Sequence, residues 1–481
     1  MKQKKEGKLS SLPKLSVLAV ALACGGVLPA HAEETPEQMR QRIEQLETQI
    51  KQLTALVEQA VAKVEAVQAA AADSEEQRAE FNRIRVKVES MEDQNEALGM
   101  KDLQISGMID PTFIYNKARD SAGFNFLNNF DGRDGNEVYA YDNSYFGQAL
   151  LQFDKELEGG TKLRLALAPH KSASSGFNLG SIVHEASMSM PITDSNTRFI
   201  AGQMPDWSGY EYYFGHQNKL ITHNLLFDFT LPSFYTGAGV DVTRGKWWTR
   251  AMIGNMNKAS HPDSETNPML SYRVDYSKGE FQGFGFAGQH GELDDNRLDM
   301  FEFDAYFIRG DLSWMGQLSV GKWKNNAFDG GDATWKGFST LLGYKLTPRF
   351  EAIGRLDYLN NSKHGGGTIG TAFNCIDSAA ADPLAPAVCD DTVATQLAAG
   401  DYRNGFGPTA ADAAAWTPGT SINGANRTTL SLGVNYALTT NVMLKAEYRI
   451  DHADIPVFYY VDDGSYKKNN HMFGVSTVLS F

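Results

Sequence analysis

Apolar residues recur along this chain with two different periods, and the change from one to the other divides it. Between Pro36 and Ala72, the residues Met39, Ile43, Leu46, Ile50, Leu53, Val57, Ala60, Val64, Val67 and Ala71 follow spacings of four and three, the heptad of a coiled coil. β-Branched Ile43, Ile50, Val57 and Val64 at a, with Leu46 and Leu53 at d, favour two strands. Leu56 at g and Val61 at e widen the apolar face and favour three, so a trimer is expected. After "AAADSEEQ" the pattern resumes at Phe81, Ile84, Val88 and Met91 with its phase slipped by three, a stammer. The first helical run would be roughly 55 Å long at about 1.5 Å per residue.

From Gly99 onward the period becomes two. In "TKLRLALAPH", Leu163, Leu165 and Leu167 share one face, with Lys162 and Arg164 on the other. "LSYRVDYS" sets Leu270, Tyr272, Val274 and Tyr276 against Arg273 and Asp275; "RFEAIGRLDYL" sets Phe350, Ala352, Leu356 and Tyr358 against Glu351, Arg355 and Asp357. "TTLSLGVNYALTTNVMLKAEYRI" reads as a hairpin whose second strand presents Lys445, Glu447 and Arg449 on one face. Segments of roughly ten residues repeat to the end of the chain, with no composition break to divide them, and this is the grammar of a transmembrane barrel, apolar outward and polar inward. The expected fold is therefore an all-β antiparallel transmembrane barrel, preceded by an α-helical coiled coil. A soluble secreted β-protein on a coiled-coil stalk, an adhesin or binding module, is the alternative, since a sandwich also alternates.

Turn lengths support the barrel. "LEGGTK", "LTPRF" and "ALTTNV" are tight, whereas "ARDSAGFNFLNNFDGRDGNEVYAYD" and the stretch from Asn360 to Asn426 are long, the asymmetry of periplasmic turns and outer loops. The aromatic pairs Tyr212-Tyr213, Trp247-Trp248 and Tyr459-Tyr460 would suit interface girdles.

The N-terminus sets the compartment. A basic stretch, the apolar "LSVLAVALAC" and "LPAHA" make a secretory signal cut after Ala32, with a lipoprotein reading at Cys24 less well matched. The division is then a signal at 1–32, a periplasmic coiled coil at 33–99 and the barrel at 100–481. Cys375 and Cys389 remain as a pair in an oxidising compartment. A bridge between them would close about 15 residues and contribute about 3 kcal/mol. The formal charge of −14 and the absence of a basic stripe argue against a nucleic-acid partner. Gly 45 with 11% aromatics suits turns and strands.

"ISGMIDPTFIY" resembles the first strand of Gram-negative trimeric porins, and "YFGQALLQFDKELEGGTKLRLALA" the strand, turn and strand that follow it. "LGVNYALTTNVMLKAEYRIDHA" and a last strand ending in Phe481 resemble the porin close. Taken whole, with "PSFYTGAGVDV", "MIGNMN" and "DGSYKKNNHMFG", the chain resembles an uncharacterised porin-like family of betaproteobacteria with an N-terminal periplasmic coiled coil. The resemblance, with the length of the chain, implies a homotrimeric channel of about sixteen strands, with 14 or 18 as alternatives, in the outer membrane of a Gram-negative cell, lying in lipid and lipopolysaccharide and passing small hydrophilic solutes or ions passively. It also implies that Phe481 is read as an assembly signal by the barrel-insertion machinery. It places a constricting loop at "GQMPDWSGYEYYFGHQNK", where Asp206 and Glu211 are the candidate acidic groups. Parity points Arg164, Arg273, Arg355 and Arg449 into the lumen, with Arg198 and Arg250 as further pore-lining candidates.

Catalytic patterns are missing from the sequence. No Gly-x-Ser-x-Gly elbow occurs, and at His184-Glu185 the second zinc-binding His is replaced by Met188. "DGRDGNE" (131–137) and "LDDNRLD" (293–299) lack the spaced ligands of a calcium loop. His184 and His290 read as strand-end residues. No enzyme, cofactor or metal is expected.

Overall fold

The computed structural model describes residues 102–126, 147–168, 182–257, 268–293, 295–369 and 405–481, together with helical residues at 48, 51, 55, 80–87 and 90. Two units divide the chain, Met1–Lys101 and Asp102–Phe481. In the first, the helical run 80–87 leaves Phe81 and Ile84 well exposed. The heptad residues from Met39 to Ala71, with Val88, Met91 and the segment 1–32, lie outside the described residues, as do Cys24, Cys375 and Cys389.

The second unit is built around one sheet of eighteen hydrogen-bonded segments. Two of its strands are composite. Leu103–Ile109 and Thr112–Asn116 are halves of one strand, β1, interrupted at Asp110-Pro111. Pro111 has no N–H to give the ladder, which is why the strand breaks there. Ala149–Glu156 pairs with the first half and Ser121–Asn125 with the second, so together they make β2. Eighteen segments less these two joins leave sixteen strands. The others are β3 (Lys162–Leu167), β4 (Val183–Asp194), β5 (Thr197–Pro205), β6 (Phe234–Arg244), β7 (Trp247–Met256), β8 (Met269–Gly279) and β9 (Gln282–Leu293). There follow β10 (Asn296–Arg309), β11 (Leu312–Trp323), β12 (Ala333–Thr347), β13 (Phe350–Asn360), β14 (Arg427–Ala437), β15 (Val442–Ala453) and β16 (Asn469–Ser480). Each strand pairs antiparallel with the next, and β16 returns to both halves of β1, Ser480 facing Met108 and Ser476 facing Thr112. The barrel is closed, so it has no open edge to aggregate.

Part of one expected loop is strand. Ser121–Asn125 turns back on Thr112–Asn116, and Phe124 packs edge-on against Phe113 at 5.4 Å. At the seam, the Gly107 and Phe481 amides exchange hydrogen bonds of 3.1 and 3.0 Å. A Cβ on Gly107 would stand 2.8 Å from the Phe481 ring, so only glycine lets that ring lie against the strand.

The expected alternation holds on the outside. Leu163, Leu165, Ile253, Leu270, Phe301, Leu318, Leu342, Leu356 and Leu432 all point outward, Ile253 at 60% and Leu432 at 56% exposure. Such a ring of exposed large apolar side chains far exceeds what water tolerates on a soluble monomer. The adjacent aromatic pairs behave differently from expectation. Trp247 is exposed on the outer face, while Trp248 points inward and hydrogen-bonds Asp241. Neighbours in a strand face opposite ways, so only one member of a strand pair can join a girdle. Tyr212 and Tyr213 belong to a loop, and Tyr459 and Tyr460 to a short ribbon of Phe458–Tyr460 with Ser465–Lys467.

The inside is divided by height. Towards the tight-turn end it is polar, with Asn435, Lys445, Glu447, Arg355 and Asp357 buried. Towards the long-loop end it is dry on one side: Met252, Met256, Met269, Leu293, Leu298, Met300, Trp323, Trp335 and Leu359 form a continuous apolar core with Ile369 and Phe406 from the long 361–426 connection. That connection therefore folds partly into the barrel instead of lying wholly outside it.

Candidate functional site

The segment between β5 and β6, residues 206–233, folds into the barrel and crosses to the wall formed by β12 to β15. Its sequence explains the attachment. Asn224 caps a short helix, α1 (Leu225–Thr230), by accepting from the Phe227 amide at 2.8 Å, and Leu225, Leu226 and Phe229 enter the apolar core. The preceding stretch offers free backbone groups, and buried charges of the wall satisfy them.

Four wall residues do most of this. Glu447 accepts from the Ile221 and Thr222 amides at 2.7 and 2.8 Å and from the Thr222 hydroxyl at 2.6 Å. Arg355 donates to the carbonyls of Thr222 (2.6 Å) and His223 (2.8 Å) and pairs with Glu211 at 2.9 Å. Arg449 donates to the His223 carbonyl at 2.8 Å and pairs with Asp451. Lys445 holds the Gly215 carbonyl at 2.6 Å and also the Asn218 carbonyl. Lys219, from the loop, reaches Glu351 at 2.5 Å.

All six candidate arginines point inward, but they divide into three groups. Arg355 and Arg449 are fully buried beneath the loop. They are clamps for its backbone and do not face open water, because an arginine beside unsatisfied carbonyls fills them with its five donors. Arg198 lies at the tight-turn rim, donating to Gly160 and Ser189. Arg164, Arg250 and Arg273 line a cavity of about 1210 Å³ beneath the loop, on the β2 to β10 side. Asp206 and Glu211 both lie on the loop. Asp206 accepts from the Ser208 hydroxyl at 2.9 Å and from the Tyr235 hydroxyl; Glu211 accepts from the Asn224 amide at 2.6 Å besides its arginine. His184 stacks near Tyr213 and Phe214 at 4.7 Å, and His290 pairs with Asp299 at 2.9 Å.

Sequence reasoning placed Lys445 and Glu447 on the inner face without a role, and missed Lys219, His223 and Trp207 altogether. Glu447 and Thr222 are 225 positions apart, and no local pattern links them.

Burial titrates the loop. It pushes the His223 imidazole down from 6.5 to about 3, helped by Arg355, Arg449 and Lys445 and opposed by the Tyr212 carbonyl. Burial raises Glu211 from 4.5 to about 7 against the pull of Arg355, and Asp206 from 3.8 to about 6 against the Tyr235 and Ser208 hydrogen bonds. The signs oppose one another. The depressed His223 contributes docking stability that is present above 6.5 and lost as pH falls towards 3. Glu211 and Asp206 contribute stability that is complete at low pH and lost as pH rises through about 7 and 6. Below 3.8, of these three groups, only His223 still changes appreciably. His223→Gln removes that contribution and leaves the opposing carboxyls in place, so the acceleration of pepsin cleavage within 206–233 from pH 4.5 to pH 3 is expected to be larger in the wild type than in His223→Gln. Equal dependence in both proteins would refute it.

A family model described as "Protein of unknown function (DUF3138)" matches residues 73–268 and 276–481. No curated protein matches the chain by sequence. Among solved structures, the anion-selective porin from Comamonas acidovorans is 12% identical, covering 79% of this chain and 99% of its own, with a TM-score of 0.48. The outer-membrane-expressed OmpT of Vibrio cholerae is 11% identical over 79% of this chain and 97% of its own, with a TM-score of 0.46. The outer membrane channel DcaP of Acinetobacter baumannii is 12% identical over 79% and 97%, with a TM-score of 0.45.

Proposed function

The chain belongs to the DUF3138 family, whose description assigns no activity, and we propose from its own geometry that it is an outer-membrane channel through which small hydrophilic solutes or ions diffuse passively. One observation carries the reading: a closed sixteen-strand barrel wears its apolar side chains outside and encloses charged groups around a loop-roofed cavity. A soluble fold does the reverse, hiding apolar surface and wetting its charges. In lipid the same arrangement is the stable one, since closure satisfies every ladder N–H and C=O. The loop and the dry core narrow the interior to the side of β2 to β10, so the passage is small. No reaction is assigned to it, and diffusion down a gradient needs no cofactor.

The heptad positions Ile43 to Val64, with Leu56 and Val61 on the flanks, support a periplasmic three-helix coiled coil and hence a homotrimer. Phe481, held at the seam opposite Gly107, is the residue we assign to recognition by the insertion machinery. Lipid and lipopolysaccharide are the surroundings the outer belt would meet.

Purified protein added to a planar lipid bilayer is expected to give discrete conductance steps, and its band on a gel is expected to shift on boiling. A protein that extracts without detergent and never produces a step would sink the reading.

A further inference from the structure

We propose, resting on the channel reading, that the cavity beneath the 206–233 loop takes small organic cations, amines and guanidiniums, in preference to anions. The three arginines on its wall invite the opposite conclusion, but each is already paired with at least one carboxylate. Arg164 lies 2.6 Å from Asp154 and 3.9 Å from Glu185. Arg250 makes two bonds, of 2.6 and 3.0 Å, to one oxygen of Asp241. Arg273 is bidentate to Asp275 at 2.8 Å and meets Asp304 at 2.8 Å. Five carboxylates thus surround three guanidiniums, an excess of two negative charges. An anion entering here meets guanidiniums whose charge is already offset by their carboxylates, whereas a cation meets the excess negative charge.

Two observations beyond the charge count point the same way. The Glu302 side chain is 0% exposed and stands 3.9 Å from Arg273. The Gly209 amide approaches it, yet neither oxygen reaches a hydrogen-bond donor in proper geometry. It stands behind Arg273 on the same wall, where it leaves that guanidinium facing carboxyl oxygens on every side. The second observation concerns shape. The Arg250 guanidinium lies between two indoles, 5.1 Å from the ring centre of Trp207 on the loop and 4.8 Å from that of Trp248 on the wall. A planar cation between aromatic faces is held by the ring quadrupoles, a form of recognition no anion can use. Arg250 itself fills this slot, so the two indoles cover its faces and screen it from an entering anion.

The experiment uses the full chain in a planar bilayer across a potassium chloride gradient. The reversal potential is expected to have the sign of cation selectivity. Asp304→Asn and, separately, Asp154→Asn should each bring the potassium-to-chloride permeability ratio down towards unity. Argininamide on one side should reduce the current in a dose-dependent way, and glutamate at the same concentration should not. An anion-selective wild type overturns the proposal, as does a ratio that neither substitution moves or an equal effect of argininamide and glutamate. The wild-type measurement decides even if both variants fail to show the boiling shift of a folded barrel. A correctly folded protein that gives no current at all removes the channel reading itself, a different failure from the wrong sign.

Discussion

Replacing Arg355 with Met is expected to cost about 3–5 kcal/mol, the loss typical of removing one partner from a buried charge network. Arg355 is the only cation within 4 Å of three buried carboxylates among the described residues: Glu211 at 2.9 Å, Asp357 at 3.2 Å and Glu447 at 3.8 Å. It also fills the carbonyls of Thr222 and His223. Met removes the charge and leaves three buried carboxylates without a cation, each keeping only its neutral hydrogen-bond donors. Arg355→Lys should recover only part, because a compact ammonium cannot span a fork whose partners lie on β13, β15 and the loop. Adding Glu211→Gln to Arg355→Met should recover some stability by removing one stranded charge. The measurement is the urea midpoint in detergent micelles, read by the unboiled gel band. A shift in Arg355→Met no larger than that of Arg164→Gln, a residue itself 45% exposed, would mean that the loop is held by something else.

The second large effect lies in the dry half. Trp323→Ala is expected to cost about 3–5 kcal/mol through the cavity it leaves, since the side chain is fully buried and its indole donates to the Leu293 carbonyl at 3.1 Å. Trp247→Ala, on the outer face at 46% exposure, is the control and should cost much less. If Trp323 were simply a residue lining a water-filled passage, the two substitutions would differ little, because water would refill the space. Equal midpoints would therefore deny the dry core. The same substitution should also loosen Phe229 and the loop helix packed beside it, so current noise in the bilayer should rise together with the loss of stability.

These two residues also mark how far the sequence could be read. The outward face was legible: Leu270, Leu356 and Leu432 stand where alternation placed them, because a pleated strand sends successive side chains to opposite sides. Arg273, Arg355 and Arg449 were rightly placed inside by the same rule. What they do there was not legible. Parity gives a direction but no depth, and whether an inward arginine meets water or a loop depends on what crosses the barrel at that height. Arg355, expected to line the lumen, instead forms a 2.9 Å ion pair with Glu211 on the loop, while Arg250 is held between two tryptophans. The apolar inner positions Trp323, Trp335, Met252 and Met300 broke the expected polar lumen, and they read in sequence as ordinary strand residues.

By itself, the chain's pattern determined the strand class, the antiparallel barrel architecture and the apolar outer belt, while the constricting segment came from the resemblance. The first three follow from local periodicity and turn length. Only the tertiary structure decided which charges are locked beneath the loop, where the cavity lies and which sign it favours. Those depend on contacts such as Thr222 with Glu447, 225 residues apart, and a contact that distant obeys no spacing a sequence can display.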